Sequence, residues 1–322
     1  MKICIVTPAP TGSRTGNRVT ALRWARLLRD LGHRVLIEQE YHDQPCDVLV
    51  ALHARRSSDS VERFRRQHPD LPLIVALTGT DLYKDVRTHA SAQQSLELAS
   101  RLILLQPMGF TELPERLREK ARVIYQSARR PQGKVVPRKD VFEVCLLAHL
   151  RPVKDPFRVA LAVRLLPPSS RIEVVHVGAA LDKTMEEGAR RETAANPRYR
   201  WLGGIPRWKA LRILARSRLL VLTSHMEGGA NVVSEAVAAS VPVLSSRIAG
   251  SIGILGPDYP GYFPVGDTQA LATLLVRAET DAAFYNTLKD WCERLKPLVD
   301  PARERRCWEN LLRELFPNEK MS

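Results

Sequence analysis

The sequence predicts an α/β protein made of two doubly wound domains, each a parallel β-sheet covered by helices on both faces. Short apolar runs alternate with longer stretches of helical periodicity, which is the βαβ pattern of parallel sheets. This alternation stops at 127–140, where Pro, Gly and charged residues replace the apolar pattern as in an interdomain linker, and then restarts. The length of 322 residues suits two domains of roughly 150 residues. We therefore expect one domain over 1–135, a second over 136–300 and a last helix over 301–322.

Eleven apolar runs predict the strands. In the first domain they are KICIVTP, HRVLIEQ, DVLVALH, LPLIVALTG, RLILLQP and ARVIYQS. In the second domain they are VFEVCLLAHL, RIEVVHVGA, YRWLGGI, LLVLTSH and VPVLSSR. Because most of these runs are apolar throughout rather than alternating, both faces of each sheet should be buried.

The helices are predicted from spacing and end signals. For the first helix, Asn17 is a good N-cap residue and Gly32 suits the turn that ends a helix. Between them apolar residues recur at helical spacing, at Val19, Leu22, Ala25 and Leu27 or Leu28. Further helices are predicted by PFRVALAVRLL, RWKALRILARS and NVVSEAVAAS. The last stretch, 281–316, is helical but broken by KPLVDPARE, and its final helix either crosses back to the first domain or stays on the second.

Composition narrows the class of protein. Hydrophobic residues make up 44% and charged residues 26%, and no apolar run approaches the ~20 residues that a membrane span needs. The start, MKICIVTPAP, lacks the apolar core and the cleavage site of a secretory signal, so we expect a cytoplasmic protein without a membrane partner. The five cysteines form no CxxC pair and no zinc-type Cys/His spacing. We expect neither a disulfide framework nor a structural metal.

The net charge of +14 predicts attraction to anions in general. A nucleic-acid-binding protein is one such class, and it predicts a strongly salt-dependent affinity. Aromatic residues are only 6% of the chain, and no helix-turn-helix, zinc finger or base-stacking motif is visible, so we expect no nucleic-acid partner. A dinucleotide-dependent oxidoreductase is also disfavoured, because Gly12 and Gly16 after the first strand do not have GxGxxG spacing.

The stretch HMEGGANVVSEA places two acids around a Gly-Gly pair at a strand-to-helix junction. Gly228 and Gly229 allow the backbone to come close to a ligand, and free N–H groups at the helix start, near Asn231, favour a diphosphate. Glu227 and Glu235 can both border one pocket, where carboxylates accept hydrogen bonds from vicinal diols. A ligand with central phosphates and a diol at each end is a nucleotide sugar. The alternative is that Asn231 is only a helix cap and Glu235 a solvated helix residue.

The longer run SHMEGGANVVSEAVAASVPVLSSRIAG resembles the E-x7-E region of the retaining-type GT-B glycosyltransferases of family four. The order of elements is similar to theirs from end to end, which implies a GT-B fold with two Rossmann-like domains facing each other across a cleft. The resemblance implies that Glu227 binds the donor's sugar hydroxyls, Glu235 its ribose, and Lys154 its diphosphate. Where the family has an arginine, five positions before the lysine, this sequence has His149, with Arg151 nearby. The second positive charge could come from either.

The donor site so predicted requires no metal. Breaking the sugar C1–O bond builds negative charge on the diphosphate, and Arg151, Lys154 or helix N–H groups can stabilise it. No DxD motif is present, so we expect no obligatory metal and no cofactor besides the UDP-sugar substrate. The predicted donor-binding residues are His149, Arg151, Lys154, Gly178, Ile205, Glu227, Gly228, Gly229, Ala230, Asn231 and Glu235.

The first domain carries basic and polar residues after three strands, in TPAPTGSRTGNRVTALRW, VALHARRSSDS and VALTGTDLYKD. Parallel strands end at one edge of a sheet, so these segments could converge on a site for a small anionic acceptor. The predicted catalytic residues are Arg14, Asn17, Arg18, His53, Arg55, Thr78 and Asp81. Family members usually carry a histidine where Thr78 stands.

Four segments, SRTGNRVTALRWA, LVALHARRS, LTGTDLY and LGPDYPGYFPVGD, resemble the selenosugar synthases of selenoneine biosynthesis, a narrow group within the family. The resemblance implies transfer from a UDP-sugar, with UDP-N-acetylglucosamine or a related UDP-hexose as donor, to selenophosphate. Se–P hydrolysis would then release phosphate and a 1-selenosugar, with His53 or Asp81 either assisting that step or only packing. The nearest rival is an ordinary GT-B glycosyltransferase with a hydroxyl acceptor. The sequence leaves open the anomeric configuration of the product, the preferred donor sugar and the oligomeric state.

Overall fold

The computed structural model describes residues 1–13, 15–133 and 135–317. Arg14, a predicted catalytic residue, lies outside the described residues. By their internal contacts these residues form two compact units. The first unit comprises Met1–Gln126, Glu227–Gly229 and the chain from Pro301 onward, and the second comprises Ser127–Met226 and Ala230–Asp300.

The first unit contains a six-stranded sheet in which every strand pair is parallel. Its strands are β1 (Lys2–Val6), β2 (Arg34–Glu38), β3 (Val48–Leu52), β4 (Leu73–Leu77), β5 (Arg101–Leu104) and β6 (Ala121–Val123). All six were predicted from their apolar runs. They lie in the order β2-β1-β3-β4-β5-β6.

The helices of the first unit connect these strands, and one further helix follows at the end of the chain. They are α1 (Gly16–Asp30), α2 (Ser58–Gln67), α3 (Val86–Thr88), α4 (Ala90–Leu98), α5 (Glu115–Arg118) and α13 (Pro301–Leu315). A π-helical turn, Asp81–Asp85, and a 3-10 turn, Pro107–Glu112, complete the set.

Helix α1 corrects two details of the prediction. The helix begins at Gly16 with Thr15 as its N-cap residue, so Asn17 lies in the first turn and is not the cap. Leu22 is 50% exposed, and the buried stripe runs instead through Ala21, Trp24, Ala25 and Leu28. Gly32 ends the helix as predicted, with φ +85° and a hydrogen bond from its N–H to the carbonyl of Arg29 at 2.9 Å.

Two apolar clusters cover the two faces of the first sheet. Helix α13 contributes to one of them, because Trp308 is fully buried against Trp24 with ring centroids 5.0 Å apart and edge-to-face geometry. The buried carboxylate of Glu304 accepts a hydrogen bond from Trp24 Nε1 at 2.7 Å. The final helix therefore packs within the first unit.

The second unit contains a second six-stranded sheet, also parallel throughout. Its strands are β7 (Phe142–Leu147), β8 (Ile172–Val177), β9 (Tyr199–Trp201), β10 (Leu219–Leu222), β11 (Val243–Ser246) and β12 (Tyr262–Phe263), in the order β12-β11-β10-β7-β8-β9. The first five were predicted, and the two-residue edge strand β12 was not.

The helices of the second unit include the three predicted from PFRVALAVRLL, RWKALRILARS and NVVSEAVAAS. In chain order they are α6 (Arg158–Arg164), α7 (Lys183–Ala195), α8 (Arg207–Arg216), α9 (Asn231–Ala239), α10 (Ala249–Leu255), α11 (Thr268–Thr280) and α12 (Ala282–Leu295). The segment 127–140 carries no helix or strand in its described residues. None of the described helices combines the length and the apolar character needed to cross a bilayer.

Strand order positions the candidate sites. In the first sheet the order changes direction between β1 and β3, and in the second sheet it does so between β7 and β10. Ligands of doubly wound sheets bind beyond the carboxyl ends of the strands at such a switch point. The segments after these four strands are those that carry most of the predicted site residues.

Candidate active site

In the first unit, Asp81 organises the segment that follows β4. Its carboxylate is fully buried and accepts hydrogen bonds from three backbone N–H groups, those of Ala54 (3.1 Å), Thr78 (3.0 Å) and Gly79 (2.7 Å). The bond from Ala54 ties the segment after β3 to the segment after β4, and the other two bonds lie within the segment after β4. The geometry favours the packing role for Asp81 over assistance in hydrolysis.

His53 follows β3 in a strained conformation. Its φ of +77° lies in the left-handed region, and the residue is only 3% exposed. Nδ1 accepts a hydrogen bond from the N–H of Arg56 at 3.3 Å, and Nε2 lies 3.2 Å from Oγ1 of Thr80. Burial lowers the pKa of the imidazole, an effect that the nearby carboxylate of Asp81 opposes. His53 is therefore neutral at pH 7.

Asp85 lies on the other side of the same imidazole. Its Oδ2 is 3.9 Å from Nε2 of His53, and its Oδ1 is 3.3 Å from the guanidinium of Arg55. The carboxylate is buried, whereas the side chain of Arg55 is 46% exposed. Arg55 thus compensates a carboxylate charge at this edge.

Arg18 and Asn17 lie in the first turn of α1, just after β1. Arg18 is 9% exposed, yet no hydrogen bond or ion pair of its guanidinium occurs among the described residues. Asn17 is half-buried beside it in the sequence. A guanidinium that has no internal partner and lies at a strand end is available to bind an anion.

The Gly-Gly pair belongs to the first unit, where it packs against protein backbone. A Cβ atom added to Gly228 would lie 2.5 Å from the carbonyl carbon of Thr78, and one added to Gly229 would lie 2.7 Å from Cβ of Leu105. The prediction attributed these glycines to close approach by a ligand, and the structure adds a second reason for them in the close approach of the chain itself. Glu227, half-buried, precedes them in the same unit.

In the second unit, the segments after β7 and β10 are hydrogen-bonded to each other. The hydroxyl of Thr223 donates to the carbonyl of Lys154 at 2.8 Å, and the N–H of His225 donates to the carbonyl of Val153 at 2.9 Å. Lys154 ends a short 3-10 turn that begins after Arg151. Arg151 and Lys154 are both half-buried. Because they follow β7, these predicted diphosphate-binding residues lie at the switch point of the second sheet.

The start of the same segment is held by a buried histidine. Burial lowers the pKa of His176 to about 4, so its ring is neutral, with Nε2 2.8 Å from the carbonyl oxygen of Ala148 and Nδ1 2.6 Å from the hydroxyl of Tyr199. A Cβ atom added to Gly178 would lie 1.8 Å from that same carbonyl oxygen. The N–H of Ala179 donates to Nδ1 of His149 at 3.1 Å. Gly178 is therefore required for backbone packing beside His149.

Glu235 lies in α9 and is 6% exposed, so the alternative that it is a solvated helix residue is wrong. Its Oε1 lies 2.5 Å from the guanidinium of Arg207, the first residue of α8. The N-cap residue of α9 is the buried Ala230, and Asn231 begins the helix, so the alternative that Asn231 is the cap is also wrong. Ile205, half-buried, lies two residues before α8.

A sequence model described as "Glycosyl transferases group 1" matches residues 128–294, just over half of the 322 residues. The chain belongs to this family. As a glycosyltransferase of group 1, it has the transferase activity that the E-x7-E stretch predicted. A search of curated protein sequences gave no significant match.

Solved structures similar to this glycosyltransferase confirm the predicted fold. HepE of Anabaena, in complex with UDP and glucose, aligns with TM-score 0.78 and 16% identity over 98% of this chain and 100% of its own. Sucrose-phosphate synthase of Thermosynechococcus elongatus gives 0.79 and 16%, over 99% and 100%. A glycosyltransferase of Rickettsia africae gives 0.76 and 12%, over 99% of each chain. The fold is the GT-B type, with two Rossmann-like α/β domains.

Three residues of the glycosyltransferase whose side chains contact predicted site residues were not among those predicted. Asp85 lies beside His53 and Arg55. Thr80 lies within hydrogen-bond distance of His53, and Arg207 forms an ion pair with Glu235. Thr80 lies in the segment VALTGTDLYKD, just after a predicted strand. That position could have identified it as a candidate site residue. No signal in the sequence pointed to Arg207, because it lies 28 positions before Glu235 in an ordinary amphipathic helix.

Proposed function

We propose that this glycosyltransferase forms a carbon–selenium bond. The donor is a UDP-sugar, for which UDP-N-acetylglucosamine is our first candidate, and the acceptor is selenophosphate. The products are UDP, phosphate and a 1-selenosugar, which would serve selenoneine biosynthesis. The transfer is proposed to need no metal ion and to take place in the cytoplasm.

The observation that carries the acceptor class is the environment of Arg18. The residue is only 9% exposed, and its guanidinium forms no hydrogen bond or ion pair among the described residues. Arg18 follows β1 in the chain, next to the switch point of the first sheet. A small, multiply charged anion would supply the missing bonds, whereas a neutral hydroxyl acceptor would leave the charge uncompensated.

The donor class is supported by the second unit. A buried carboxylate on α9, Glu235, is suited to accept hydrogen bonds from ribose hydroxyls. Lys154 and Arg151 stand at the switch point, where positive charge can stabilise a departing diphosphate. The structurally similar HepE was crystallised with UDP and with glucose. These features together favour a UDP-sugar.

The proposed chemistry has two steps. In the first, the selenium of selenophosphate attacks the anomeric carbon, the C1–O bond breaks, and its electron pair leaves with UDP. In the second, water attacks phosphorus, the Se–P bond breaks, and phosphate is released with the selenosugar. Selenium is a soft, strong nucleophile, so the first step needs little help from a general base. This agrees with Thr78 standing where the family usually has a histidine.

The deciding experiment incubates the protein with UDP-N-acetylglucosamine and freshly prepared selenophosphate. We expect a sugar product with the selenium isotope pattern in mass spectrometry, together with equimolar UDP. Glu235→Ala, which removes the proposed ribose contact, is the matched loss-of-function variant. Absence of a selenosugar, with folding and UDP-sugar binding verified, would contradict the proposal.

A parallel assay replaces selenophosphate with sugar hydroxyl acceptors. Turnover with a hydroxyl acceptor and none with selenophosphate would identify an ordinary GT-B glycosyltransferase. Titration with duplex and single-stranded DNA at several salt concentrations tests whether the protein binds nucleic acid instead. For a nucleic-acid-binding protein, the logarithm of the binding constant falls linearly with the logarithm of the salt concentration. We expect only weak binding without sequence preference.

A further inference from the structure

His53 has a backbone conformation that is uncommon for any residue other than glycine. Its φ of +77° costs roughly 1 kcal/mol or more for a residue with a side chain. The next strand end is also irregular, since Thr80 leads directly into the π-helical turn Asp81–Asp85. Strained residues and π-turns cluster at functional sites. Two such features meet where the imidazole of His53 reaches Oγ1 of Thr80, at 3.2 Å.

Hydrogen-bond roles within this pair follow from the ring nitrogens. The N–H of Arg56 donates to Nδ1 of His53, so Nδ1 carries no proton in the neutral ring and Nε2 carries it. Nε2–H therefore donates to Oγ1 of Thr80. A hydroxyl that accepts from the imidazole must direct its own proton elsewhere, and no acceptor for that proton occurs among the described residues.

Nearby carboxylates do not oppose an anion at this point, because both are compensated. Asp81 is saturated by backbone N–H groups, and Asp85 is paired with Arg55. The same sheet edge carries Arg18, a largely buried residue whose guanidinium has no partner among the described residues. The edge thus presents a cation and an oriented hydroxyl donor without a free negative charge from either aspartate.

We propose that the hydroxyl of Thr80 donates a hydrogen bond to a phosphate-type oxygen of the acceptor, and that His53 is the positioning residue that orients this hydroxyl. The inference rests on the proposed function, since it assigns a contact for the acceptor at the same sheet edge. It assigns His53 no proton transfer: the imidazole stays neutral and its Nε2–H bond holds Thr80 in one rotamer. Thr80 then distinguishes an oxyanion acceptor from one that lacks an oxygen at that position.

The test uses inorganic phosphate as the probe, so that it does not depend on turnover. Phosphate binding to the 322-residue chain is measured by phosphorus NMR titration for the native protein, Thr80→Val and Thr80→Ser. We expect Thr80→Val to weaken binding roughly tenfold, as for loss of one hydrogen bond to a charged group, and Thr80→Ser to stay within about threefold. Thr88→Val is the matched control, because it removes an exposed hydroxyl that already donates to the carbonyl of Lys84.

The role of His53 is tested with a double-mutant cycle. His53→Asn keeps a residue that tolerates positive φ but removes the Nε2–H donor, and we expect about a threefold loss of phosphate affinity. In the Thr80→Val background the same change should have no further effect, since the hydroxyl that it orients is gone. Additive losses would show that His53 acts independently, and would overturn the positioning role.

Three other outcomes also overturn the inference. They are native binding by Thr80→Val, equal losses in Thr80→Val and Thr80→Ser, and no phosphate binding by the native protein. Failure of the proposed function is distinguishable from these. If no selenosugar forms while the Thr80 and His53 variants lose phosphate affinity as expected, the oxyanion contact stands and the selenium chemistry does not.

Discussion

At the carboxyl edge of the first sheet, the buried carboxylate of Asp81 is bonded to three backbone N–H groups. At the carboxyl edge of the second sheet, the buried carboxylate of Glu235 is instead paired with the exposed side chain of Arg207. Backbone donors cannot leave without unfolding the loops, whereas an exposed guanidinium can swing into solvent at little cost. The first carboxylate is therefore part of the scaffold, and the second can exchange its partner for a ligand.

The same contrast holds for the cations. Arg55 compensates Asp85, whereas Arg18 is buried without a partner among the described residues. Residue type and burial alone do not separate binding groups from structural ones. What separates them is which group the charged side chain is paired with, and whether that partner can move into solvent. The following substitutions test this distinction, beginning with the largest expected effect.

Gly178→Ala should be the most damaging change, because its Cβ would lie 1.8 Å from the carbonyl oxygen of Ala148. The segment after β7 must shift, and we expect a loss of about 3 kcal/mol or more in the free energy of unfolding. Urea denaturation measures this. Gly188→Ala is the control, since its Cβ would meet only the ring edge of Phe157 at 3.2 Å, within a helix that favours alanine. Equal stability of the two variants would contradict the account of Gly178.

Asp81→Asn should destabilise the protein by about 2 to 3 kcal/mol, since one acceptor oxygen becomes an amide donor facing backbone N–H groups. Urea denaturation again gives the loss, and donor affinity should be unchanged. A stable Asp81→Asn protein that binds donor normally but has lost turnover would reverse the comparison and make Asp81 a catalytic residue.

Glu235→Gln should weaken UDP-sugar binding by about 2 kcal/mol, roughly thirtyfold in the dissociation constant measured by calorimetry. Its effect on the free energy of unfolding should stay below about 1 kcal/mol, because the partner Arg207 is free to solvate. Arg207→Met is the matched variant. It leaves Glu235 in place, and we expect donor affinity to be maintained or improved; a thirtyfold loss there as well would place Arg207 in the binding site.

The pH dependence of the free energy of unfolding tests whether the fold keeps His176, the buried histidine of the second unit, neutral. The folded pKa of His176 is about 4 and its ordinary value is 6.5, so between these pH values the unfolded chain binds the proton and the folded chain does not. This stability is fully present above pH 6.5 and is lost as the pH falls toward 4. Between pH 7.5 and pH 5 the loss should be about 2 kcal/mol.

Urea denaturation of the native protein and His176→Gln at both pH values isolates this contribution. The variant should lose about 2 kcal/mol less than the native protein on acidification. His53, whose pKa burial also lowers, is present in both proteins and cancels in the difference. Identical pH slopes would show that His176 is not held neutral by the fold.

Predictions from the sequence succeeded where the signal is local and repeated. The apolar runs of β1 to β11 and the left-handed turn at Gly32 follow from periodicity and from backbone preferences of single residues. Strand β12, Tyr262–Phe263, is too short to carry a period and was missed. Helix α1 shows the limit of end signals, because Thr15 rather than Asn17 is its N-cap residue.

Predictions of the sites succeeded only as far as strand ends could be located. The parallel arrangement places the segments of His53 and Asp81 side by side, as expected, and joins those of Lys154 and Thr223. The structure also shows which groups each side chain contacts. Residue spacing in the sequence does not give this information. Gly228 illustrates this, since the space it leaves is filled by the backbone of Thr78.

By itself, the sequence determined the two doubly wound domains, the strand ends that carry polar residues, and the E-x7-E stretch that identifies a glycosyltransferase. Each depends on residues near one another in the chain. Only the tertiary structure decided that Asp81 is bonded to backbone donors, that Glu235 faces Arg207, and that Oγ1 of Thr80 lies beside the imidazole of His53. The contacts of Ala54 with Asp81, of Arg207 with Glu235 and of His53 with Thr80 join residues far apart in the sequence. The energy of a buried charge is set by the groups that surround it in space.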